Sequence, residues 1–319
     1  MKVSIITATY NSSKTLKDTI ESVLHQDYNN IEYILVDGAS SDATLDIIKS
    51  YEQKFGGRLK YVSEPDKGLY DAMNKGIAMA TGDVVGILNS DDFLNDTGII
   101  SMVVKHMKDT DVDAIYGDVH YVNDNNLAKC VRYYSSKVFS PKLMRLGFMP
   151  AHPSFYCRTK VYREKGMFDL NFKQAADFEL LLRLIYCERI KTQYIPYDFV
   201  TMRTGGLSSS GIKSHKAIMK DHCRALKHNQ VRSNTFLLSL RYIYKVIELI
   251  ATKFIKAAPM PNYVGKSYWV CTLSYEALIG HTTYTVERFQ HHGGRFELPE
   301  FYIHSHNRDS MLAAPTHKS

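Results

Sequence analysis

The sequence predicts an α/β fold with a Rossmann-like, mostly parallel central sheet flanked by helices. Through residues 3–92, short apolar runs alternate with segments of helical periodicity, which is the pattern of consecutive β-α-β units. Each apolar run ends in a polar cluster, as strands do at the carboxyl edge of an open α/β sheet, where ligands bind. With 319 residues, of which 45% are hydrophobic and 23% charged, the chain is long enough for one large domain or two small ones.

The first four strands are predicted at residues 3–6, 31–36, 59–62 and 84–88. The helices between them are indicated by apolar residues at helical spacing, namely Leu16, Ile20, Val23 and Leu24, then Leu45, Ile48 and Tyr51, then Met73, Ile77 and Ala80. Because each strand is followed by a helix and short loops, neighbouring strands are expected to be parallel and covered on both faces. The polar clusters after the four strands therefore meet at one edge of the sheet.

The pattern changes after residue 110. Antiparallel strands are predicted at residues 114–116, 119–122 and 128–132, with a turn at 123–126. Helical patterns return at residues 160–165, 177–186 and 212–228. We expect two halves of one domain at residues 1–110 and 111–232, then an amphipathic helical extension at 233–257 and an irregular tail at 258–319.

Several classes of protein are disfavoured by what the sequence lacks. The five cysteines are odd in number and none forms a CxxC pair, which argues against a disulfide framework or a zinc knuckle. The loop after the first strand has no glycine, and no GxxxxGK[ST] segment occurs, so a dinucleotide fingerprint and a P-loop are both missing. Neither a signal-peptide pattern nor an apolar stretch of about 18 residues is found. These features favour a cytoplasmic protein.

Positive charge is concentrated in one segment. Residues 201–256 contain 11 Lys or Arg and two Asp or Glu. The net charge of this segment is therefore +9, which is more than the +7 of the whole chain. One interpretation is a solvated helical surface, and the other is a surface that faces phosphates or anionic lipid. No nucleic-acid partner is predicted.

An acidic pair, Asp91 and Asp92, follows the fourth strand at the same predicted edge as Asp37 and Asp66. Carboxylates that converge on one cleft repel each other unless a cation or hydrogen-bond donors are present. Hard divalent ions prefer carboxylate oxygens and share their coordination shell with substrate phosphates. The pair therefore predicts a divalent cation, Mn²⁺ or Mg²⁺, in a phosphate-binding cleft, although helix N-caps also carry aspartate.

Four segments together resemble the successive signatures of family 2 glycosyltransferases. They are residues 3–11 (VSIITATYN), 36–44 (VDGASSDAT), 64–76 (EPDKGLYDAMNKG) and 88–92 (LNSDD). The third segment is similar to the branch that includes transferases of colanic acid and other bacterial surface polysaccharides. The resemblance spans residues 1–210 and implies a GT-A fold, with the nucleotide-sugar bound by the first half and the acceptor by the second. It also implies inverting, metal-dependent transfer from a nucleotide-sugar, with a UDP-sugar favoured, to a lipid-linked glycan.

The resemblance assigns roles on the donor side. Tyr10 would stack on the base, Asp37 would hydrogen-bond it, and Asp66 would line the nucleotide pocket. The acidic motif departs from the usual Asp-x-Asp because its first position is Asn89, which leaves Asp91 as the first metal ligand and Asp92 as the second. The predicted donor-binding residues are Thr7, Thr9, Tyr10, Asn11, Asp37, Asp66, Lys67, Gly68, Asp71, Asn74, Ser90 and Asp91.

Acceptor-side roles follow from three segments that resemble the family, residues 151–155 (AHPSF), 166–169 (GMFD) and 175–183 (AADFELLLR). Asp177 matches the catalytic base, and His152 and Asp169 are predicted on the acceptor side. An aspartate at a helix start is also a common N-cap, and a loop histidine is commonly a packed residue. Residues 205–208 (GGLS) resemble a loop that closes the site in relatives.

Residues 235–256 carry one polar stripe, made of Arg241, Lys245, Glu248, Thr252 and Lys256, on a broadly apolar helix. Such a helix can pack on the domain or at a dimer contact, or it can lie in the plane of a membrane. A peripheral contact with the inner face of the cytoplasmic membrane is predicted because a lipid-linked acceptor is expected.

Two other functions stay open. The departure at Asn89 fits a non-catalytic protein that binds nucleotide-sugars or acts as a scaffold on the same fold, whereas Asp91, Asp92 and Asp177 together favour the enzyme. A nucleotidyltransferase would need a glycine-rich, basic loop after the first strand, and residues 8–14 offer only one lysine.

Overall fold

A computed structural model describes residues 1–205, 211–242, 274–275 and 282–283 of the chain. Residues 206–210, most of the predicted amphipathic helix and nearly all of the predicted tail lie outside these described residues. The four isolated residues form two short antiparallel strands, Ser274–Tyr275 and Thr282–Thr283.

The strands of the main body are β1 (Val3–Thr9), β2 (Ile31–Asp37), β3 (Leu59–Ser63), β4 (Val84–Ile87), β5 (Phe93–Leu94), β6 (Ala114–Asn123), β7 (Asn126–Tyr134), β8 (Tyr156–Arg158) and β9 (Thr192–Arg203). The α-helices are α1 (Leu16–Leu24), α2 (Thr44–Tyr51), α3 (Leu69–Met79), α4 (Ile99–Asp109), α5 (Thr159–Lys165), α6 (Ala176–Leu181) and α7 (Gly211–His228). A π-helical turn, Leu182–Cys187, continues α6, and a short 3₁₀ turn, His152–Ser154, precedes β8.

One sheet runs through both predicted halves of the chain, in the order β3-β2-β1-β4-β8-β6-β9-β5, with β7 paired to β6. The first four strands are parallel, as the alternation of strands and helices predicts. From β4 onward the sheet is mixed, because β8 is antiparallel to both β4 and β6 while β9 is parallel to β6. The predicted α/β architecture is confirmed.

Two apolar layers cover the two faces of the sheet. One layer packs α3, α6 and α7 against residues such as Ile6 and Ala8 of β1. The other packs α1, α2 and α4 against Val3 and Ile5 of the same strand. All seven residues of β1 are buried because helices lie on both sides. The buried strand ends at Thr9, and the polar loop that follows it therefore begins at the carboxyl edge of the sheet.

The second half differs from the sequence prediction in its details. The two strands predicted at residues 114–116 and 119–122 form the single strand β6, with Gly117 in its middle. A Cβ atom at Gly117 would lie 2.5 Å from Cδ1 of Phe199, so glycine here lets β9 pack closely. The helix predicted at residues 177–186 begins as α6 and ends as the π-helical turn. The elements α4, β5, β8 and β9 were not predicted.

A buried carboxylate stabilises the edge of the sheet opposite the polar clusters. Glu32 of β2 is almost fully buried and accepts hydrogen bonds from Lys60 Nζ at 2.7 Å, Ser4 Oγ at 2.7 Å and Thr81 N at 2.8 Å. Burial by itself raises the pKa of Glu32, but these donors outweigh it and hold the pKa well below its usual range. Three segments of the first half are therefore joined through one charge.

Replacing this charge tests its contribution to folding. Because the folded-state pKa is lowered, Glu32 stabilises the fold above its unfolded pKa and loses this effect as the pH falls. We expect Glu32→Gln to lower the free energy of unfolding at pH 7 by about 1–3 kcal/mol. The difference from the parent protein should shrink as the pH falls below about 4 in thermal melts. An equal difference at pH 7 and pH 3 would contradict this account.

Candidate active site

The loops that follow β1 and β2 are tied to each other at the carboxyl edge of the sheet. Thr9 and Asp37 are register partners at the ends of these strands, and Gly38 N donates to Thr9 O at 2.9 Å. Asn11 has a positive φ of 49°, and its Oδ1 accepts from Ser41 N at 2.9 Å. Asparagine tolerates this conformation better than most residues, so it suits this position in the turn.

Gly38 brings Tyr10 and Asp66 together, although they come from different loops. A Cβ atom at Gly38 would lie 2.5 Å from Asp66 Oδ2 and 3.3 Å from Tyr10 Cδ2. Asp66 is held in place by Gly68 N, which donates to its Oδ1 at 2.7 Å. The Tyr10 side chain is 65% exposed, so a ring face stands open beside a carboxylate. An aromatic face next to a hydrogen-bond acceptor suits a nucleobase.

Asp37 lies beneath this pocket and is fully buried. Its carboxylate accepts from Ser40 N at 3.1 Å, Ser40 Oγ at 2.5 Å and Ser63 Oγ at 2.6 Å. These bonds connect the end of β2 to its own loop and to the end of β3. A direct hydrogen bond from Asp37 to the base stays a prediction, and its bonds in this structure support the loop that carries Gly38.

The two threonines of β1 are also buried. Thr7 Oγ1 accepts a hydrogen bond from Tyr33 OH at 3.1 Å within the core. Thr9 Oγ1 is buried and has no hydrogen-bond partner among the described residues. Buried hydroxyls are normally paired, so Thr9 is the threonine with bonding capacity left at this edge.

Asp92, the second residue of the acidic pair, is inside the protein with 1% of its surface exposed. Its Oδ2 accepts from Asn89 Nδ2 at 2.8 Å, and its Oδ1 accepts from the backbone N of Arg203 at 3.1 Å. Burial and the neighbouring Asp91 raise the pKa of Asp92 well above its usual range. Asp92 therefore joins the turn between β4 and β5 to the end of β9, and both its oxygens are engaged.

Asp91 differs from its neighbour because no other described residue donates a hydrogen bond to its carboxylate. Burial is the main cause that raises the pKa of Asp91, and the charge of Arg203 opposes this shift. A partly buried carboxylate without donors is suited to a cation. Of the predicted pair, Asp91 is the residue with a free oxygen to offer.

Arg203, the last residue of β9, is the cation at the centre of this region, and it is only 7% exposed. Its Nη1 donates to the backbone O of Asp91 at 2.6 Å, its Nε pairs with Asp124 at 3.0 Å, and its Nη2 pairs with Asp18. The guanidinium also lies over the ring of Phe93 at 5.2 Å. The local sequence does not predict this role, and its one signal is an arginine two residues before Gly205.

The residues around Asp91 fit a divalent ion that is shared with a substrate. Mg²⁺ is usually held by one or two carboxylates together with substrate phosphates and waters. Asp91 supplies one such carboxylate, and the Asn89 side-chain oxygen lies in the same turn. Within the part of the chain that the structure describes, no group of three or more His, Cys, Asp or Glu side chains is arranged as a metal site. These oxygen ligands therefore suit a divalent ion whose other ligands are supplied by a substrate diphosphate and water.

Asp177 lies against the donor-side helix α3, although 107 residues separate it from that helix in sequence. Its Oδ1 accepts a hydrogen bond from Tyr70 OH at 3.2 Å and from Phe178 N at 2.8 Å. Asp177 is the second residue of α6, whose N-cap position is taken by Ala175. Burial raises the pKa of Tyr70 well above its usual range, and Asp177 adds to the shift, so Tyr70 remains a donor.

A second contact joins the two sides of the cleft. The Asn74 amide of α3 donates to Phe168 O at 2.9 Å and accepts from Phe168 N at 2.9 Å. The buried ring of His152 packs edge-on against the Phe168 ring, with centroids 5.6 Å apart. Burial lowers the pKa of His152 and the nearby Asp177 opposes the shift, which favours a neutral imidazole. Asn74 and His152 therefore hold the acceptor-side loop on the donor-side helix.

The remaining predicted residues lie around this cleft. Asp71 caps its own turn by accepting from Lys67 N at 3.0 Å. Ser90 Oγ is 2.9 Å from Ser12 Oγ, which links the acidic motif to the first loop. The Asp169 carboxylate is hydrogen-bonded within its own loop. None of these contacts assigns a ligand, so their donor-side and acceptor-side roles stay predictions.

The model of the family described as Glycosyl transferase family 2 matches residues 4–165 of this chain. This span contains the strands, loops and acidic motif that are predicted to form the donor side of the cleft. The chain belongs to glycosyltransferase family 2. Its predicted family is thereby confirmed, and it is a glycosyltransferase.

Relatives of this glycosyltransferase include a PGL/p-HBAD biosynthesis glycosyltransferase of Mycobacterium bovis. The two are 27% identical over 209 residues, which cover 65% of this chain and 79% of the relative. Within the described residues, no helix combines the length and the apolar composition that crossing a membrane requires.

Two solved structures confirm the GT-A-like fold. S. aureus TarS 1-349 in complex with UDP-GlcNAc has a TM-score of 0.55 and 20% identity, covering 71% of this chain and 66% of that one. In a longer TarS structure, this chain covers 44%. The mannosyltransferase PcManGT from Pyrobaculum calidifontis, in complex with GDP-Man and Mn²⁺, has a TM-score of 0.50 and 16% identity, covering 78% and 80% of the two chains.

Removing the Arg203 guanidinium tests its place in this site. Arg203→Met leaves the backbone bond to Asp92 intact but deprives Asp18, Asp91 and Asp124 of their shared cation. Asp18 and Asp124 are half or more exposed, so the loss comes mainly from the buried guanidinium and its hydrogen bond to Asp91 O, and costs about 1–2 kcal/mol. We expect the melting temperature to fall by roughly 2–8 °C, since each kcal/mol shifts it by about 2–4 °C in a domain of 150–250 residues.

Calorimetric melts measure this change. The matched control is Arg163→Met on α5, where the side chain is exposed, and it should melt like the parent protein. An Arg203→Met variant with an unchanged melting temperature would show that the guanidinium is not needed for this arrangement.

Proposed function

We propose that this protein is an inverting glycosyltransferase that moves a sugar from a UDP-sugar to a hydroxyl of a lipid-linked glycan during surface-polysaccharide biosynthesis. The observation that carries the proposal is the hydrogen bond of 3.2 Å between Asp177 and Tyr70. It holds a carboxylate from the acceptor half against the helix that follows the donor-side loop. A base in this position lies between the two substrates.

Donor binding is assigned to the pocket around Gly38. Tyr10 offers its exposed ring to the base, and Asp66 offers the acceptor atom beside it. A uracil base is favoured because the TarS structure is a complex with UDP-GlcNAc, which makes UDP-GlcNAc the first donor to test. Asp91 is assigned to the divalent ion, and the Mn²⁺ in the PcManGT complex supports this assignment.

The reaction needs one base. Asp177 takes the proton of the acceptor hydroxyl while the hydroxyl oxygen forms a bond to the anomeric carbon. The bond between that carbon and the diphosphate breaks on the opposite face, and the nucleoside diphosphate leaves with the electron pair. Tyr70 and Phe178 N both bind Oδ1 of Asp177, which leaves Oδ2 for the proton. When bound, the divalent ion supplies positive charge to the leaving diphosphate.

The second candidate is a non-catalytic protein that binds nucleotide-sugars or serves as a scaffold. Asn89 favours this candidate, because it replaces one carboxylate of the acidic motif and its amide donates a hydrogen bond to Asp92. The open oxygen of Asp177 favours the enzyme, since a scaffold has no use for a free carboxylate in the cleft. We further propose that the enzyme works in the cytoplasm as a peripheral protein on the inner face of the cytoplasmic membrane, where a lipid-linked acceptor is available.

Asp177→Asn tests the base. The amide keeps the shape and can still accept from Tyr70 OH, but it cannot take a proton. We expect UDP-GlcNAc affinity to be unchanged and transfer to fall by roughly 10²–10⁴-fold, the usual contribution of general acid–base catalysis. Radiolabelled sugar transfer to membrane lipid extract measures the rate. Asp109→Asn, an exposed aspartate at the end of α4, is the matched control and should transfer like the parent. Near-normal transfer by Asp177→Asn would move the base elsewhere.

Asp91→Asn tests the ion. Because amide oxygen binds Mn²⁺ more weakly than a carboxylate does, the part of UDP affinity that depends on Mn²⁺ should disappear in titration calorimetry. Tyr10→Ala is the comparison, and it should weaken UDP by about 1–3 kcal/mol whether or not Mn²⁺ is present, since it removes base stacking. If Asp91→Asn retains the full gain in affinity on addition of Mn²⁺, then Asp91 is not the ligand.

A further inference from the structure

A row of cationic side chains lies along the exposed side of α7. Lys216, Lys220, Arg224 and Lys227 are all exposed, and at 100° per residue they fall within about 80° of the helix circumference. The one acidic residue in the sequence of α7, Asp221, is buried, and its Oδ2 accepts from Gln174 N at 2.9 Å. We call these four side chains the α7 ridge. Three of its four charges, the lysines, have no ion-pair partner among the described residues.

Apolar residues lie on one flank of the ridge. The chain is helical again at residues 235–242, and Thr235 Oγ1 is 3.9 Å from Cys223 Sγ of α7. Leu238 of this second helix is fully buried, whereas Phe236 is 72% exposed. The helix therefore turns an aromatic side chain away from the protein, next to the ridge.

The first residue of the predicted polar stripe faces the domain. Nη1 of Arg241 lies 2.6 Å from Nδ1 of the buried His222. Because Arg241 packs on the domain, the opposite side of this helix, which carries Phe236 and the half-buried Leu240, faces outward. The remaining residues of the predicted stripe lie outside the described part of the chain.

The other flank of the ridge adjoins the acceptor side of the cleft. Arg224 lies over the ring of Phe172 at 5.1 Å, and the ring of His222 stacks on Phe178 at 3.9 Å. Phe178 directly follows Asp177, and Leu170 in the adjoining loop is exposed. A partner that covers the ridge would therefore lie beside the loop that leads to Asp177, not beside the nucleotide pocket.

We propose that the α7 ridge, together with Phe236, docks this enzyme on an anionic lipid bilayer, with the acceptor end of its cleft next to the lipid. The proposal rests on the proposed function in that the acceptor is lipid-linked. Lysines near an anionic membrane surface are attracted to the headgroups, and an aromatic side chain can enter the headgroup region. A bilayer fits this surface because cationic and exposed apolar side chains lie side by side, whereas nucleic acid would need the charges alone.

Vesicle sedimentation of the full chain tests the proposal, with phosphatidylcholine vesicles that either contain phosphatidylglycerol or lack it. The parent protein should bind the anionic vesicles and not the neutral ones. The ridge variant Lys216→Glu/Lys220→Glu/Lys227→Glu should lose at least on the order of a hundredfold in partition, since each lysine contributes about fivefold and the glutamates add repulsion. The matched control, Lys49→Glu/Lys105→Glu/Lys108→Glu, makes the same charge change on α2 and α4, across the sheet from α7, and should bind like the parent.

The variant Phe236→Ser separates the contribution of the aromatic side chain to membrane binding from that of the lysines. It should weaken vesicle binding most at high salt, where the lysines are screened. The proposal is overturned if the parent ignores anionic vesicles, or if the ridge variant and the control lose binding equally. It is also overturned if duplex DNA competes fully with the vesicles for the parent, since the ridge would then be a general polyanion site.

A separate measurement keeps the two proposals apart. UDP-GlcNAc affinity in solution should be the same in the parent, the ridge variant and the control, because the ridge is not part of the nucleotide pocket. A parent that binds anionic vesicles but no nucleotide-sugar would support docking and count against the proposed function. Loss of nucleotide affinity in the ridge variant alone would count against a purely docking role.

Discussion

The buried acid in the turn between β4 and β5 is the constraint on which the site depends. Asp92 is inside the protein, where an unpaired acid is costly, and its partners are the Asn89 side chain and the backbone of Arg203. Satisfying Asp92 therefore requires the end of β9 to lie beside this turn. The same arginine then holds Asp18 of α1 and Asp124 of the turn between β6 and β7. One buried acid and one buried arginine thus position elements from both halves of the chain.

The cleft between the two halves is closed by contacts to α3. Asn74 holds the backbone of Phe168 through two hydrogen bonds, and Tyr70 donates to Asp177. A donor-side helix therefore carries the contacts that orient the acceptor side. In the proposed reaction, these contacts would fix the distance between Asp177 as the base and the donor, on which the rate of transfer depends steeply.

The residues of the family motifs divide by their surroundings into supports and open groups. Asp37, Thr7 and Asn74 have their bonding capacity used by neighbouring protein groups. Tyr10, Asp91 and Asp177 each keep an exposed ring or a free oxygen at the cleft. A motif by itself marks both kinds of residue equally, because both are required for the same local structure. Their burial and hydrogen bonds distinguish the ones that can touch a ligand.

The sequence by itself determined the four parallel strands, the helices between them and the edge where Tyr10, Asp66 and Asp91 meet, because strand and helix periodicity are local properties of the chain. It did not determine β8 and β9, whose apolar patterns are interrupted and whose pairings join distant segments. Only the tertiary structure decided that Asp92 is held by Arg203, 111 residues away, and that Asp177 lies against Tyr70, 107 residues away. Such pairs form because a buried or half-buried carboxylate needs hydrogen-bond donors, which distant segments supply and no local pattern records.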